Sequence, residues 1–162
     1  MHGSITDFRE DAGGIRFTAD CSQAYPGAGC VLRQVRVAYA GWMLIHDSIE
    51  QPGEGIDFLF HTDNRDRQAV IEITPERILI RRPCASLLLL PLLGGTATDL
   101  GTEYLDSDPE GQRALRIQRV GAEMATLLVP LRPGQTADIL PAGERAWRIC
   151  VNGTEEIVAL KG

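Results

Sequence analysis

Hydrophobic and polar residues alternate with a period of two along most of this chain. Ile15 and Phe17 are separated by a polar residue, and Ile56, Phe58 and Phe60 follow the same pattern. This period is typical of β-strands that bury one face, because successive strand side chains point to opposite sides. The chain also contains 17 glycines and 9 prolines, which divide it into short segments. The pattern therefore predicts many short strands rather than long helices.

Three further segments refine this prediction. The continuous apolar run Leu87–Leu90 indicates a strand covered on both faces. Asn152-Gly153, between two alternating runs, is a strong signal for a two-residue hairpin. The segment from Glu110 to Val120 also fits a helical stripe, although a strand is favoured. We predict an all-β fold, a single antiparallel β-sandwich of roughly eleven or twelve short strands over residues 14–162, preceded by a flexible segment over residues 1–13.

The same alternation predicts which side chains are buried. Each of them is apolar and lies on the inward face of a predicted strand. The predicted buried residues are Ile15, Phe17, Val35, Phe58, Phe60, Ile71, Ile78 and Trp147.

Charge and hydropathy narrow the classes of function. The net charge of −6 disfavours nucleic acid as a partner, since phosphates would be repelled. We expect no membrane span, because no apolar run approaches the ~20 residues that a span needs. The N-terminal residues show no signal-peptide pattern. The spacing of Cys21, Cys30, Cys84 and Cys150 leaves their disulfide state open.

Motifs of nucleotide binding and of nucleophilic catalysis do not occur in the sequence. There is no phosphate-binding glycine loop, and no serine stands in a G-x-S-x-G elbow. His46-Asp47 would form an acid–base pair only with a third group; otherwise Asp47 ends a strand in a turn. We therefore predict no catalytic residue and no cofactor.

A polar segment follows the predicted strand that ends at Phe60. His61 is a candidate ligand-binding residue, and His61 with Asp63 is the weaker candidate for a metal site, because imidazole and carboxylate are common metal ligands. The alternative is a solvated loop with charges of both signs. Another acidic segment, from Asp99 to Glu110, is predicted to be an exposed charged loop rather than a calcium site, because the EF-hand spacing is absent.

Arginine supplies nearly all of the positive charge, since Lys161 is the single lysine. Arginine forks suit carboxylate and sulfate groups, so Arg33 and Arg36 are candidate ligands for an acidic polysaccharide. The base composition of the genome would explain the same bias. Trp42 is a candidate platform for stacking a sugar ring, with a place in the core as the alternative.

One succession of residues resembles a known family. Ala24-Tyr25 is followed by Val31-Leu32-Arg33-Gln34-Val35, then by the hydrophobic strand that ends at His46-Asp47, and then by Phe58-Leu59-Phe60-His61. This succession resembles the C-terminal β-sandwich domain of bacterial heparinase II/III-type polysaccharide lyases. The resemblance implies a β-sandwich that packs beside an α/α toroid domain, and a periplasmic or secreted location. The family's catalytic groups carry over to none of these residues.

The sequence thus favours a non-catalytic β-sandwich module that supports a lyase or contacts an acidic polysaccharide. A polysaccharide lyase that acts by β-elimination on uronate-containing glycans, with a site completed by a missing domain or partner, is the first alternative. An oligomerising structural β-module without ligand is the second. The expected partners are an acidic polysaccharide, a further copy of the chain or the absent toroid.

Overall fold

The computed structural model describes residues 3–101 and 112–160. Within these ranges, antiparallel β-strands make up nearly all of the regular structure, and no helix is long and apolar enough to cross a membrane. The strands are β1 (Ser4–Asp11), β2 (Gly14–Asp20), β3 (Val31–Ala38), β4 (Trp42–Ile49), β5 (Ile56–Asp63), β6 (Val70–Thr74), β7 (Arg77–Arg82), β8 (Ala85–Pro91), β9 (Thr96–Gly101), β10 (Gln112–Arg119), β11 (Glu123–Leu131), β12 (Ala137–Gly143), β13 (Ala146–Val151) and β14 (Thr154–Ala159).

The described strands form three sheets. The large sheet has eight strands in the order β1-β2-β3-β4-β11-β8-β7-β6. Two small sheets have three strands each, in the orders β5-β10-β9 and β12-β13-β14. Consecutive strands pair as a meander in β1 to β4 and again in β6 to β8. Strand β5 leaves the large sheet and pairs with β10 instead.

Two hydrophobic cores lie on opposite faces of the large sheet. In the first core, Trp147 and Ile149 of β13 pack with Trp42 and Leu127 of the large sheet. In the second, Phe58 and other residues of the sheet β5-β10-β9 pack against the opposite face. The middle of the large sheet is thus covered on both sides, and the all-β sandwich has three layers.

The central strands β8 and β11 show this double burial in their sequences. Leu88 belongs to the first core and Leu89 to the second, although they are adjacent. Leu127 and Leu128 of β11 divide in the same way. The prediction that Leu87–Leu90 is covered on both faces is confirmed.

The N-terminal segment differs from the prediction. Residues 4–11 form β1, which pairs with β2 at the edge of the large sheet, where a flexible segment was expected. All eight residues of β1 are exposed. Because the strand buries no apolar side chain, the hydrophobic pattern did not reveal it. With this strand, the structure describes fourteen strands, where roughly eleven or twelve were predicted.

Other local predictions agree with the structure. The ambiguous segment before Val120 is the strand β10, and Asn152 and Gly153 join β13 to β14 with φ of 50° and 83°, as a type I′ hairpin requires. None of the eight residues predicted to be buried is exposed. Val35, Phe58, Ile78 and Trp147 are buried, and the other four are half-buried.

Candidate functional site: a basic groove on the large sheet

Three arginines stand side by side across the first strands of the large sheet. Arg9 of β1 lies opposite Arg16 of β2, and Arg16 lies opposite Arg36 of β3. Directly opposed residues of an antiparallel sheet share one face, so the three guanidinium groups project to the same side. We call these three residues the arginine row.

The arginine row lines an open groove of about 350 Å³. Its second wall is the end of β14 with the residue that follows, from Val158 to Leu160. Beside the arginine row runs a second row of polar residues in register across β1 to β4. It consists of Asp7, Thr18, Gln34 and His46.

The charges of the arginine row are only partly balanced. Arg9 Nε lies 3.3 Å from Asp7 Oδ1, and Arg36 Nη2 lies 3.4 Å from Glu156 Oε2. The guanidinium of Arg36 also lies 4.9 Å from the ring centroid of Trp42. Arg16 makes no ion pair or side-chain hydrogen bond with any residue that the structure describes. The middle position of the row is therefore open to an anion from outside.

His46 lies at the buried side of the groove. It is only 6% exposed, and its Nε2 has no hydrogen-bond partner within the described residues. Glu123 Oε2 is 3.8 Å away, which is too far for a hydrogen bond, and that carboxylate instead accepts a 2.6 Å hydrogen bond from Arg145 Nη2. Burial lowers the pKa of His46, while the Glu123 carboxylate acts against this effect.

The buried imidazole makes the stability of the fold depend on pH. The pKa of His46 is lowered in the folded state, so the unfolded chain takes up a proton that the folded chain does not, once the pH falls below the ordinary value of about 6.5. We therefore expect the urea concentration at the midpoint of unfolding to decrease as the pH is lowered from about 7 to about 5. In His46→Gln the decrease over the same interval should be smaller, as urea titrations at each pH will show. Equal slopes in the two proteins would contradict this assignment.

Arg33 lies on the other side of the sheet from Arg36. Arg36 follows Arg33 by three positions, and an odd offset along a strand places side chains on opposite faces. Arg33 forms a two-pronged ion pair with Asp47, at 2.6 Å and 3.0 Å, beside a cavity of about 380 Å³. This pairing raises the pKa of Arg33. The two arginines predicted to act together therefore belong to different sites.

Trp42 is a core residue. It is 2% exposed, its ring belongs to the first core, and the Arg36 guanidinium covers one face. A sugar ring needs an open indole face, so the structure places Trp42 beneath the groove rather than in contact with a ligand. Its indole Nε1 has no hydrogen-bond partner among the described residues.

His61 and Asp63 lie on the outer face of the sheet β5-β10-β9. Both are exposed, and Asp63 accepts hydrogen bonds from Arg65, which lower its pKa to about 2. In the part of the chain that the structure describes, no three His, Cys, Asp or Glu residues come together as a metal site. The acidic segment predicted as a loop lies mostly outside the described residues, which end at Gly101 and resume at Gln112.

Two members of the arginine row were not predicted from the sequence. Arg9 lies in the segment that was expected to be flexible, and Arg16 was considered only as a polar residue between Ile15 and Phe17. Their alignment depends on the pairing of β1, β2 and β3, which a single sequence does not reveal. The sequence did contain one signal that Arg33 and Arg36 do not share a site. They are an odd number of positions apart, which places them on opposite faces of β3.

The fold has clear counterparts among solved structures, although no protein-family model and no curated protein matches the sequence. A heparan sulfate lyase from Pedobacter heparinus superposes with a TM-score of 0.70 at 12% identity. Two structures of heparinase III give TM-scores of 0.68 and 0.66, at 14% and 11% identity. Each alignment covers 98% of this chain but only 27 to 28% of the lyase chain. The resemblance predicted from the sequence is thus confirmed for the fold: this chain has the fold of a portion of the heparinase III-type lyases.

Proposed function

We propose that this chain is a non-catalytic β-sandwich module that contacts an acidic polysaccharide through the arginine row. The observation that carries the proposal is the direct register of Arg9, Arg16 and Arg36 on one open face. The heparan sulfate lyase that shares the fold acts, by its name, on an acidic polysaccharide. By the same analogy, we propose that the module works in the periplasm or outside the cell, beside a catalytic domain.

Electrostatics support an anionic ligand at this position. Like charges directly opposite each other destabilise a sheet, by up to about 1 kcal/mol for each pair. The arginine row contains two such contacts, and Arg16 takes part in both. A carboxylate or sulfate bound between two guanidinium groups would remove this repulsion and accept two-pronged hydrogen bonds.

The spacing of the arginine row favours a polymer over a single small anion. Adjacent strands lie about 4.8 Å apart, so the three positions of the row extend over roughly 10 Å. A chain that carries an acidic group on successive sugars would contact more than one arginine at a time. The groove is also partly open to solvent rather than an enclosed cavity.

The described lining of the groove fits the requirements of β-elimination poorly. That reaction needs a base, an acid and a group that neutralises the uronate carboxylate, all in one cleft. Within the described lining of the groove, His46 and Asp7 are the candidate bases; His46 is almost fully buried, and the Asp7 carboxylate is paired with Arg9. These contacts support a binding module rather than an independent lyase.

We expect Arg16→Ala to weaken binding of heparan sulfate or alginate about tenfold, because it removes the member of the row that has no ion-pair partner among the described residues. Arg148→Ala is the matched control, since Arg148 is exposed on the outer face of the sheet β12-β13-β14. Calorimetric titration of each variant, with neutral dextran as the control glycan, measures the effect. Binding of the wild-type chain should also weaken as salt is added.

Two results would contradict the proposal. Equal losses in Arg16→Ala and Arg148→Ala would mean that the groove has no special role. Absorbance of unsaturated uronate, produced from the glycan by the purified chain alone, would show that the chain is itself a lyase.

A further inference from the structure

Strand β1 lies at one edge of the large sheet. Among the described strands it pairs only with β2, and all eight of its residues are exposed. Phe8 is 59% exposed in the middle of the strand. The strand contains no proline, but four of its eight residues are charged and it has a bulge between Ile5 and Asp7, features that disfavour pairing with an unrelated strand. Its free edge therefore suits only a strand whose charges complement its own.

We propose that two copies of this chain associate through β1, in an antiparallel pair with its two-fold axis at Phe8. In this arrangement Asp7 lies opposite Arg9 of the partner subunit, and Arg9 lies opposite Asp7 of the partner subunit. The axis therefore creates two pairs of opposite charge and places the two Phe8 rings next to each other. Cross-strand pairs of both kinds stabilise a sheet.

Symmetry and charge select this register over its neighbours. A two-fold axis perpendicular to the sheet passes through one residue, which then faces its own copy. An axis at Asp7, Arg9 or Glu10 would place like charges directly opposite each other, which destabilises the pair. An axis at Thr6 would fall on the bulge between Ile5 and Asp7, where regular pairing with β2 is interrupted. An axis at Phe8 avoids both the like charges and the bulge.

Burial of apolar surface adds to the charge pairing. Phe8 lies opposite Phe17 of β2, and Phe17 lies opposite Val35 of β3, so an apolar row leads from the edge into the sheet. This apolar row is on the face opposite to the arginine row, whereas the paired Asp7 and Arg9 lie on the same face as the arginine row, at its edge. In the dimer, the Phe8 side chains of both subunits would lose much of their contact with water.

Charge reversal provides a sharp test by analytical ultracentrifugation. Asp7→Arg and Arg9→Asp each place like charges opposite each other in the homodimer, so we expect each variant to self-associate about tenfold more weakly than the wild type. An equimolar mixture of the two variants restores both pairs of opposite charge between unlike chains. We therefore expect the mixture to form heterodimers. Within each variant chain, positions 7 and 9 have the same charge, so an intramolecular pair cannot cause this recovery.

Glu72→Arg and Arg81→Glu provide the matched control, because they change the same charges in an exposed ion pair at the other edge of the sheet. Their mixture should behave like the wild type. The proposal is overturned if the wild-type chain stays monomeric at the highest soluble concentration. It is also overturned if the Asp7→Arg and Arg9→Asp mixture gains no association over its separate components. Thermal unfolding of each variant confirms that the chains are folded.

Discussion

Replacing Leu127 with alanine is expected to lower the free energy of unfolding by about 3 kcal/mol, within the range of roughly 2–5 kcal/mol for buried leucines. Leu127 is fully buried at the centre of β11, where it lies opposite Leu44 of β4 and Leu90 of β8. Strands on both sides hold the backbone in place, so the surroundings cannot collapse into the cavity. The cost should therefore include both the lost burial and the empty volume.

The neighbouring residue makes this prediction a test of the three-layer arrangement. In a two-layer sandwich, adjacent residues of a strand point alternately to the core and to solvent. Here Leu128 is also buried, in the second core on the opposite face. We therefore expect Leu128→Ala to be as damaging as Leu127→Ala, whereas the exposed Leu140 should tolerate alanine at a cost below about 0.5 kcal/mol.

Urea denaturation followed by tryptophan fluorescence measures all three variants. Trp42 and Trp147 both belong to the first core, so their emission reports on the packing around Leu127. Circular dichroism gives a second signal that does not depend on this core. A cost below about 1 kcal/mol for either Leu127→Ala or Leu128→Ala would mean that the corresponding face of β11 is not packed as described.

The fold class was predictable because the responsible signals are local. Alternation marks strands such as β2 and β5, and the Asn152-Gly153 turn fixes the β13–β14 hairpin through its backbone geometry. The apolar run at Leu87–Leu90 also revealed its double burial, since only a strand between two layers needs apolar residues on both faces.

The division into three sheets was not predictable in the same way. Strands β4 and β5 are consecutive and have similar patterns, yet β4 pairs with β11 while β5 pairs with β10. These pairings depend on how distant segments pack, which the period of a single strand does not encode. A strand without a buried face gives no hydrophobic signal at all, as β1 shows.

The candidate site shows the same limit. Arg36, a candidate from the sequence, lines the groove, but its partners Arg9 and Arg16 are neighbours only through sheet register. Arg33 has the same chemistry as Arg36, yet its position three residues away on β3 places it on the other face, where it pairs with Asp47. Residue type predicted an affinity for anions, whereas register determines which arginines lie side by side.

The register of β2 and β3 depends on Gly14, and the second large effect is expected there. Gly14 lies opposite Ala38 and has φ of 152°. A Cβ atom at this position would collide with the backbone carbonyl oxygen of Val37, so β2 could not keep its place beside β3. We expect Gly14→Ala to lower the free energy of unfolding by about 3 kcal/mol, since backbone strain and the collision both contribute.

Gly27→Ala separates these two contributions. Gly27 also has a positive φ, of 88°, but a Cβ atom there would meet nothing within 4 Å. We expect this control to cost only about 1 kcal/mol, the usual cost of an unfavourable backbone conformation. Urea denaturation compares the two variants under the same conditions. Equal costs would mean that the contact with Val37 is not close enough to fix the strand.

The Gly14 variant also connects the fold to the proposed site. Arg16 follows Gly14 by two residues on the same strand, and it lies between Arg9 and Arg36 only while β2 keeps its register. Because a shifted β2 would misalign the arginine row, Gly14→Ala should weaken glycan binding even under conditions where the chain stays folded, and Gly27→Ala should not. If glycan binding survives in a folded Gly14→Ala chain, the alignment of the three arginines is not what holds the polysaccharide.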